Sequence, residues 1–249
     1  MFLTAHATAQ QQGGRTAQCD ATAVAAAPGG IVAFAVLDGI GSNSEVRAWT
    51  RLAAGRVARA ALHDRSAEGG LRRVYDRYAA AGCDFTEDGD QIGAAALVAL
   101  LIPGEPLELA WCGDVRAYAV RDDEVEQLTR DHNLRRVRID QGLRYSQYDR
   151  NLLTSCLGSD ETDVDVRFKA GHPAIETATV PVEELRLVLA TDGAYEPIED
   201  FGSHLADYLT GIPAEAAEDF TETAVARART VKEPKHVDNA TVRIVDLVP

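Results

Sequence analysis

The chain of 249 residues is long enough for one large domain or two small ones. Its 46% hydrophobic and 26% charged residues are typical of a soluble globular protein and exclude collagen-like, coiled-coil and wholly disordered chains. Lys and Arg number 25 against 39 Asp and Glu, a net charge of −14, so the protein repels nucleic-acid backbones. An acidic protein can still bind phosphate where metal ions reverse the local charge.

Nothing in the sequence indicates secretion or a membrane anchor. The N-terminal stretch, Met1 to Gln12, lacks the basic start and apolar run of a signal peptide. No stretch approaches the roughly 20 apolar residues of a membrane span. We therefore expect a cytoplasmic protein with neither a membrane nor a nucleic-acid partner. The cysteines are too widely spaced for a zinc site or a disulfide scaffold, and we interpret them as buried free thiols: Cys19, Cys83, Cys112 and Cys156.

The predicted strands are short runs of apolar and branched residues between turn-forming residues. Two N-terminal runs, Met1–Thr8 and Ala21–Ala27, have weaker patterns. Asp122 and Asp123 form a tight-turn sequence between two of the later strands. The clear strands, in chain order, are Ile31–Leu37, Ala94–Ile102, Leu107–Cys112, Arg116–Arg121, Glu124–Leu128, Leu185–Ala190 and Thr241–Val248.

Helices are predicted after the early strands and again before the last one. Ser44 can cap the first helix, whose apolar residues recur at three- and four-residue spacing from Val46 to Ala60. The second helix begins near Ser66 and ends at Gly82. Two more are expected, around His204–Leu209 and Ala214–Thr230. This order lacks the regular β-α-β alternation of a parallel sheet, and it indicates antiparallel sheets flanked by helices in one α+β domain over residues 1–249.

Acidic residues stand at the ends of three predicted strands. Asp38 and Asp192, each followed by Gly, come directly after apolar strands, and Asp238 directly precedes the last strand. Carboxylates that converge repel one another and need cations between them, and Mg²⁺ or Mn²⁺ suits oxygen ligands. The alternative, that each Asp-Gly or Asp-Asn pair only forms a turn, remains open on this pattern alone.

Longer motifs surround these aspartates. In chain order they are GRTAQCDA from Gly14, VLDGIG from Val36, LELAWCGDVRAYAV from Leu107, LTRDH from Leu128, NLLTSCLGSD from Asn151, LVLATDGAYEPIED from Leu187 and DNATVRIVDL from Asp238. They resemble, in order and over nearly the whole chain, the motifs of the metal-dependent serine/threonine protein phosphatases of type 2C, in their bacterial branch. The resemblance implies a four-layer α-β-β-α sandwich of two antiparallel sheets, with a metal site at one edge between the sheets.

The resemblance also implies which residues hold the metals. Asp38 would bridge two Mg²⁺ or Mn²⁺ ions, and the Gly39 carbonyl would bind one of them. Asp192 and Asp238 would complete the ligands of the other ion. Asp20 would hold a metal-bound water. A water or hydroxide bridging the two ions would then attack the phosphate.

Further roles follow from the same resemblance. Arg15 would pair with the substrate phosphate, and it joins Asp38, Asp192 and Asp238 as a catalytic residue. Asp114 would help hold a weaker third metal. The family's mobile flap corresponds to Asn133–Asn151, a short stretch here.

The resemblance therefore implies a bacterial signalling enzyme that dephosphorylates phosphoserine and phosphothreonine in proteins, with a Ser/Thr kinase system as its expected partner. Two alternatives remain open at this point. The chain could be a catalytically weak relative that serves as a binding or regulatory module. It could also hydrolyse small phosphoesters instead of phosphoproteins.

Overall fold

The computed structural model describes residues 1–122 and 124–249. Within those residues, ten strands form two five-stranded antiparallel sheets. The strands are β1 (Phe2–Gln11), β2 (Ala21–Ala27), β3 (Ile31–Gly39), β4 (Ala94–Leu101), β5 (Leu107–Cys112), β6 (Arg116–Arg121), β7 (Glu124–Gln127), β8 (Glu176–Val180), β9 (Leu185–Ala190) and β10 (Ala240–Val248).

Six α-helices accompany the sheets in the described part of the chain. They are α1 (Ser44–Asp64), α2 (Ala67–Ala81), α3 (Leu134–Asp140), α4 (Asp163–Ala170), α5 (Asp192–Asp200) and α6 (Pro213–Val231). The Asn43 side chain caps α1 by accepting from the backbone N–H groups of Glu45 and Val46, one residue earlier than predicted. Ser66 and Gly82 bound α2 as predicted.

The two sheets combine strands from distant parts of the chain. The first has the order β1-β10-β9-β6-β7 and the second β2-β3-β4-β5-β8. In the first sheet the N-terminal strand pairs with the C-terminal one, so that Gln10 lies opposite Thr241. This pairing brings both ends of the chain to the same side of the first sheet.

The helices and sheets are stacked in layers, because both faces of each sheet are apolar and need to be covered. Helices α1 and α2 cover the second sheet, and α5 and α6 cover the first. The inner faces meet in a third apolar layer that includes Phe34, Leu97 and Leu187. All eight residues of β4 are buried, because helices cover one face of this central strand and the other sheet covers the opposite face. The predicted four-layer α-β-β-α sandwich is confirmed.

Several local predictions need correction. The segment predicted as a helix at His204–Leu209 forms only a short 3-10 turn, Leu205–Tyr208. Strand β8 was not predicted, because its residues, ETATV, carry little apolar signal. In the predicted turn, Asp122 has a positive φ of 51°, and Asp123 lies outside the described residues. Among the described helices, none combines the length and apolar character needed to cross a bilayer.

Candidate metal and phosphate site

Two of the three strand-end aspartates meet because their strands are neighbours. β9 ends at Ala190, and its antiparallel neighbour β10 begins at Ala240, so the residues just outside both strands lie at the same edge of the sheet. The Thr191 backbone N–H donates to the carbonyl of Thr241 at 3.0 Å and holds this junction closed. Asp192 then opens α5, and Asp238 precedes β10 on the same edge.

The third aspartate comes from the other sheet. Asp38 is the penultimate residue of β3, where it lies opposite Ala95 of β4. Its side chain lines the same cavity as Asp192 and Asp238, so the two sheets bring their acidic ends together at one edge of the sandwich. This convergence needs no flexible loop, because each carboxylate is attached to the end of a buried strand.

Asp114 joins the group from a tight turn between β5 and β6. The turn begins at Gly113, which has a positive φ of 99°, and a Cβ atom there would lie 2.4 Å from the Ala95 Cβ. Only glycine therefore allows the turn to come this close to β4. The Asp114 carbonyl accepts from the hydroxyl of Tyr195 at 3.0 Å, and this bond ties the turn to α5.

Asp20 lies behind the cavity and does not line it. Its Oδ2 accepts from the hydroxyls of Thr241 at 2.7 Å and Thr191 at 3.0 Å, whereas its buried Oδ1 has no partner in the described residues. Burial raises the pKa of Asp20 to about 7, and the negative charges of Asp238 and Asp192 add to the shift.

The same causes act on the other carboxylates. Burial raises the pKa of Asp38 well above its usual range, and the neighbouring carboxylates of Asp20 and Asp192 raise it further. Burial and the Asp192 charge do the same to the pKa of Asp114. The pKa of Asp192 is also raised, and its buried Oδ1 has no partner in the described residues. This is a group of crowded negative charges with too few protein cations to neutralise them.

These oxygen donors fit hard divalent cations. Carboxylates and a backbone carbonyl are the ligands that Mg²⁺ and Mn²⁺ prefer, and a cation would relieve the repulsion that raises the pKa values. Among the described residues, no three His, Cys, Asp or Glu side chains lie close enough together to form a ready-made metal site. The carboxylates instead surround a cavity of about 1130 Å³, which Asp38, Gly39, Asp114, Asp192 and Asp238 line.

Arg15 lines the same cavity and pairs with Asp238. Its guanidinium donates to the Asp238 Oδ2 at 2.6 Å, and both side chains are about one-third exposed. Asn239, beside Asp238, holds the loop that carries Arg15: its side chain accepts from the Cys19 N–H at 2.7 Å and donates to the Gln12 carbonyl at 2.8 Å. The N-terminal loop is thus fixed to the start of β10.

The cavity has further charged residues that the sequence analysis did not single out. Glu196 lies four residues after Asp192, one turn along the same face of α5, and burial together with the Asp192 charge raises its pKa to about 8. Arg150 lines the cavity too and pairs with Glu196 at 3.0 Å and with Asp200 at 2.9 Å. The helical spacing of Asp192, Glu196 and Asp200 was the signal that could have identified this acidic face.

The short stretch predicted as a flap forms one wall of the cavity. It folds into α3 and a 3-10 turn, Gln147–Asn151. Residues of the 3-10 turn, and none of α3, line the cavity. Two of the arginines in this stretch form ion pairs: Arg136 pairs with Glu176 of β8 at 2.6 Å, and Arg138 pairs within the stretch with Asp149 at 3.1 Å. Arg135 instead stacks over the ring of Tyr145.

A known protein family matches part of this chain. The sequence model of the family Protein phosphatase 2C matches residues 25–141, from β2 to the end of α3. No curated protein sequence matches the chain significantly.

Solved structures of bacterial phosphatases share the fold over nearly the whole chain. The catalytic domain of the serine/threonine phosphatase PstP in complex with two manganese ions superposes with a TM-score of 0.67 at 22% identity, covering 98% of each chain. The PPM Ser-Thr phosphatase MsPP from Mycobacterium smegmatis gives 0.69 at 22% identity, covering 99% of this chain and all of that one. Stp1 from Staphylococcus aureus gives 0.72 at 17% identity, covering 100% and 98%.

Proposed function

We propose that this chain, which matches the Protein phosphatase 2C family model over residues 25–141, is a bacterial type 2C phosphatase that hydrolyses phosphoserine and phosphothreonine in proteins with bound divalent metal ions. The observation that carries the proposal is the convergence of Asp38, Asp192 and Asp238 on one cavity from the ends of strands in both sheets. A turn-forming role alone would not collect three carboxylates from distant strands at one point.

We assign the metal-holding role to Asp38, the Gly39 carbonyl, Asp192 and Asp238, with Asp20 behind them and Asp114 at a weaker third position. Two Mg²⁺ or Mn²⁺ ions bound there would neutralise the phosphate and activate a water for attack at phosphorus. The resemblance to a phosphatase that holds two manganese ions supports this number of ions.

The protein's own residues would position the substrate. Arg15 faces the cavity and can donate to phosphate oxygens with the guanidinium edge that Asp238 leaves free. Ile40 lines the cavity next to Gly39 and offers no proton, so the chain does not supply an acid for the leaving group at that position. Catalysis would then rest mainly on positioning and charge.

We extend the proposal to the domain organisation and the setting of the enzyme. The pairing of β1 with β10 supports one catalytic domain over residues 1–249. A cytoplasmic location, a role in signalling and a partner Ser/Thr kinase remain predictions from the sequence.

One assay separates this function from its two alternatives. Purified protein is given a phosphoserine peptide, a phosphothreonine peptide and an aryl phosphate, each with Mn²⁺, with Mg²⁺ and with EDTA. We expect metal-dependent turnover of the peptides, lost in EDTA and in the Asp38→Asn variant. Turnover of the aryl phosphate alone would favour a hydrolase of small phosphoesters, and binding of phosphopeptide without turnover would favour a regulatory module.

A further inference from the structure

One cation of the cavity has no role in the function proposed above. Lys232 follows α6 directly and lines the cavity with a half-buried side chain. Its backbone N–H still bonds the carbonyl of Ala228 at 2.8 Å, but its φ of −111° and ψ of 147° are extended and end the helix. The side chain therefore starts from a fixed point at the end of a long, packed helix.

Lys232 differs from the other cations of the cavity because no carboxylate neutralises it directly. Arg15 pairs with Asp238, and Arg150 pairs with Glu196 and Asp200. In the described part of the chain Lys232 forms no ion pair within 4.0 Å. Its charge is free to meet an anion that enters the cavity.

The surroundings of Lys232 are given by the residues that line the cavity with it. Asp192, Glu196 and Asp200 line the cavity together with Lys232 and lie along one face of α5. With a rise of about 1.5 Å per residue, this face extends roughly 12 Å outward from the metal-binding edge. Lys232 thus shares the cavity with carboxylates along the whole of this face, from the metal-binding edge to Asp200.

The wall that carries Lys232 is firmly attached to the loop of Arg15. The Gly14 N–H donates to the Val237 carbonyl at 2.8 Å, and a Cβ atom on Gly14 would lie 1.5 Å from the carbonyl oxygen of Pro234. The His236 N–H closes the turn by donating to the Glu233 carbonyl. A substrate held by Arg15 would therefore meet Lys232 at a constant offset.

We propose that Lys232 binds a second anionic group of the substrate, the side-chain carboxylate of an acidic residue next to the phosphorylated one. The inference rests on the proposed function, since it assumes that the phosphate occupies the metal-binding edge beside Arg15. The cavity is far larger than a phosphate group, and its lining away from the assigned metal ligands includes Glu196, Asp200 and Glu233 together with Arg150, which is already paired with Glu196 and Asp200. Lys232 is the feature that lets an acidic peptide approach there, and an ammonium group suits a single carboxylate without a fixed hydrogen-bonding plane.

The test compares two phosphoserine peptides that differ only in Glu or Gln at positions flanking the phosphoserine, with an aryl phosphate as a third substrate. Wild-type protein should favour the Glu peptide about fivefold in kcat/KM, the effect of a half-exposed ion pair. Lys232→Met should abolish the preference, mainly through KM for the Glu peptide. Lys232→Glu should reverse it. The matched control is Lys235→Met, which removes a charge from the same segment at an exposed residue outside the cavity lining and should keep the preference.

Two results would overturn the inference. One is a preference that survives in Lys232→Met. The other is an equal loss of kcat/KM on all three substrates, which would show that Lys232 only screens the carboxylates of α5. Failure of the proposed function is visible separately, because wild-type protein would then turn over neither phosphoserine peptide with Mn²⁺, whether or not it hydrolyses the aryl phosphate, and the inference would fail with it.

Discussion

The guanidinium of Arg15 lies 2.6 Å from the carboxylate of Asp238, and this contact joins two residues that are 223 positions apart in the sequence. The family resemblance implies separate roles for them, phosphate binding for Arg15 and metal binding for Asp238. Asp238 Oδ1 also accepts from the Asn239 N–H at 2.8 Å, so both oxygens of this carboxylate are engaged. The phosphate-binding residue and the metal ligand therefore form one unit.

This pairing determines what Arg15→Ala should do. The variant loses a charged donor to the phosphate, so KM for a phosphopeptide should rise several-fold. Mn²⁺ should bind as tightly as before or more tightly, because a positive charge beside a ligand carboxylate has been removed. Arg15→Lys should raise KM less than Arg15→Ala does. Kinetics at saturating Mn²⁺, together with a Mn²⁺ titration, provide the measurement. An unchanged KM with weaker Mn²⁺ binding would mean that Arg15 only orients Asp238.

The crowding of carboxylates predicts opposite effects of Asp192→Asn on activity and on stability. Activity should fall by more than the roughly 10–100-fold typical of residues that only support a metal ligand. In EDTA, however, the variant should melt roughly 2–4 °C higher than wild type, because it removes one of several buried, mutually repelling charges. Thermal melts in EDTA and in Mn²⁺ measure the stability, and phosphopeptide turnover at saturating Mn²⁺ measures the activity. A lower melting temperature than wild type in EDTA would contradict this account of the cluster.

Gly193 provides a test of the junction between β9 and β10. A Cβ atom at this position would lie 2.0 Å from the carbonyl oxygen of Asn239, so Gly193→Ala must push the two strand ends apart. We expect a loss of about 1–3 kcal/mol in the free energy of unfolding and a clear loss of Mn²⁺ affinity. Urea unfolding and Mn²⁺ titration measure these effects.

Gly69→Ala is the matched control, because its Cβ would meet Ser66 at an ordinary 3.4 Å in α2. It should leave both quantities intact or raise stability slightly. Equal behaviour of the two variants would show that the strand junction tolerates displacement.

A buried histidine pair outside the cavity lining makes stability depend on pH. The ring of His172 stacks on His132 at 4.2 Å, bonds the Thr154 hydroxyl and the Pro173 carbonyl, and lies near Arg136 and Glu176. Burial, together with the neighbouring His132, lowers the pKa of His172 to about 4.

The sign of the effect follows from proton binding. Between about pH 6.5 and 4 the unfolded chain takes up a proton on this histidine and the folded chain does not, so stability falls as the pH falls. Urea unfolding at pH 7 and pH 5 should show a smaller acid-induced loss for His172→Gln than for wild type. Comparing the two proteins cancels the titration of other groups. An identical loss in both would show that His172 keeps its ordinary pKa in the folded protein.

The sequence alone predicted the class of fold and the three strand-end aspartates. The segments Ile31–Leu37 and Leu187–Ala190 are unbroken apolar runs, and the polar residues that follow them, Asp38 and Thr191-Asp192, are evident from the sequence. β8 escaped prediction because an edge strand paired on one side only needs few apolar residues.

The tertiary structure decided how the charges are shared among these residues. No local pattern in the sequence predicts which of these charges pair. Arg15 pairs with Asp238 and Arg150 with Glu196, whereas Lys232 has no ion-pair partner among the described residues. These arrangements arise where α5, α6 and the N-terminal loop pack around the edge of the sandwich. Hydrophobic periodicity depends on neighbours a few residues away and is readable in the chain, whereas ion pairing depends on distances between segments that only the packed sheets and helices set.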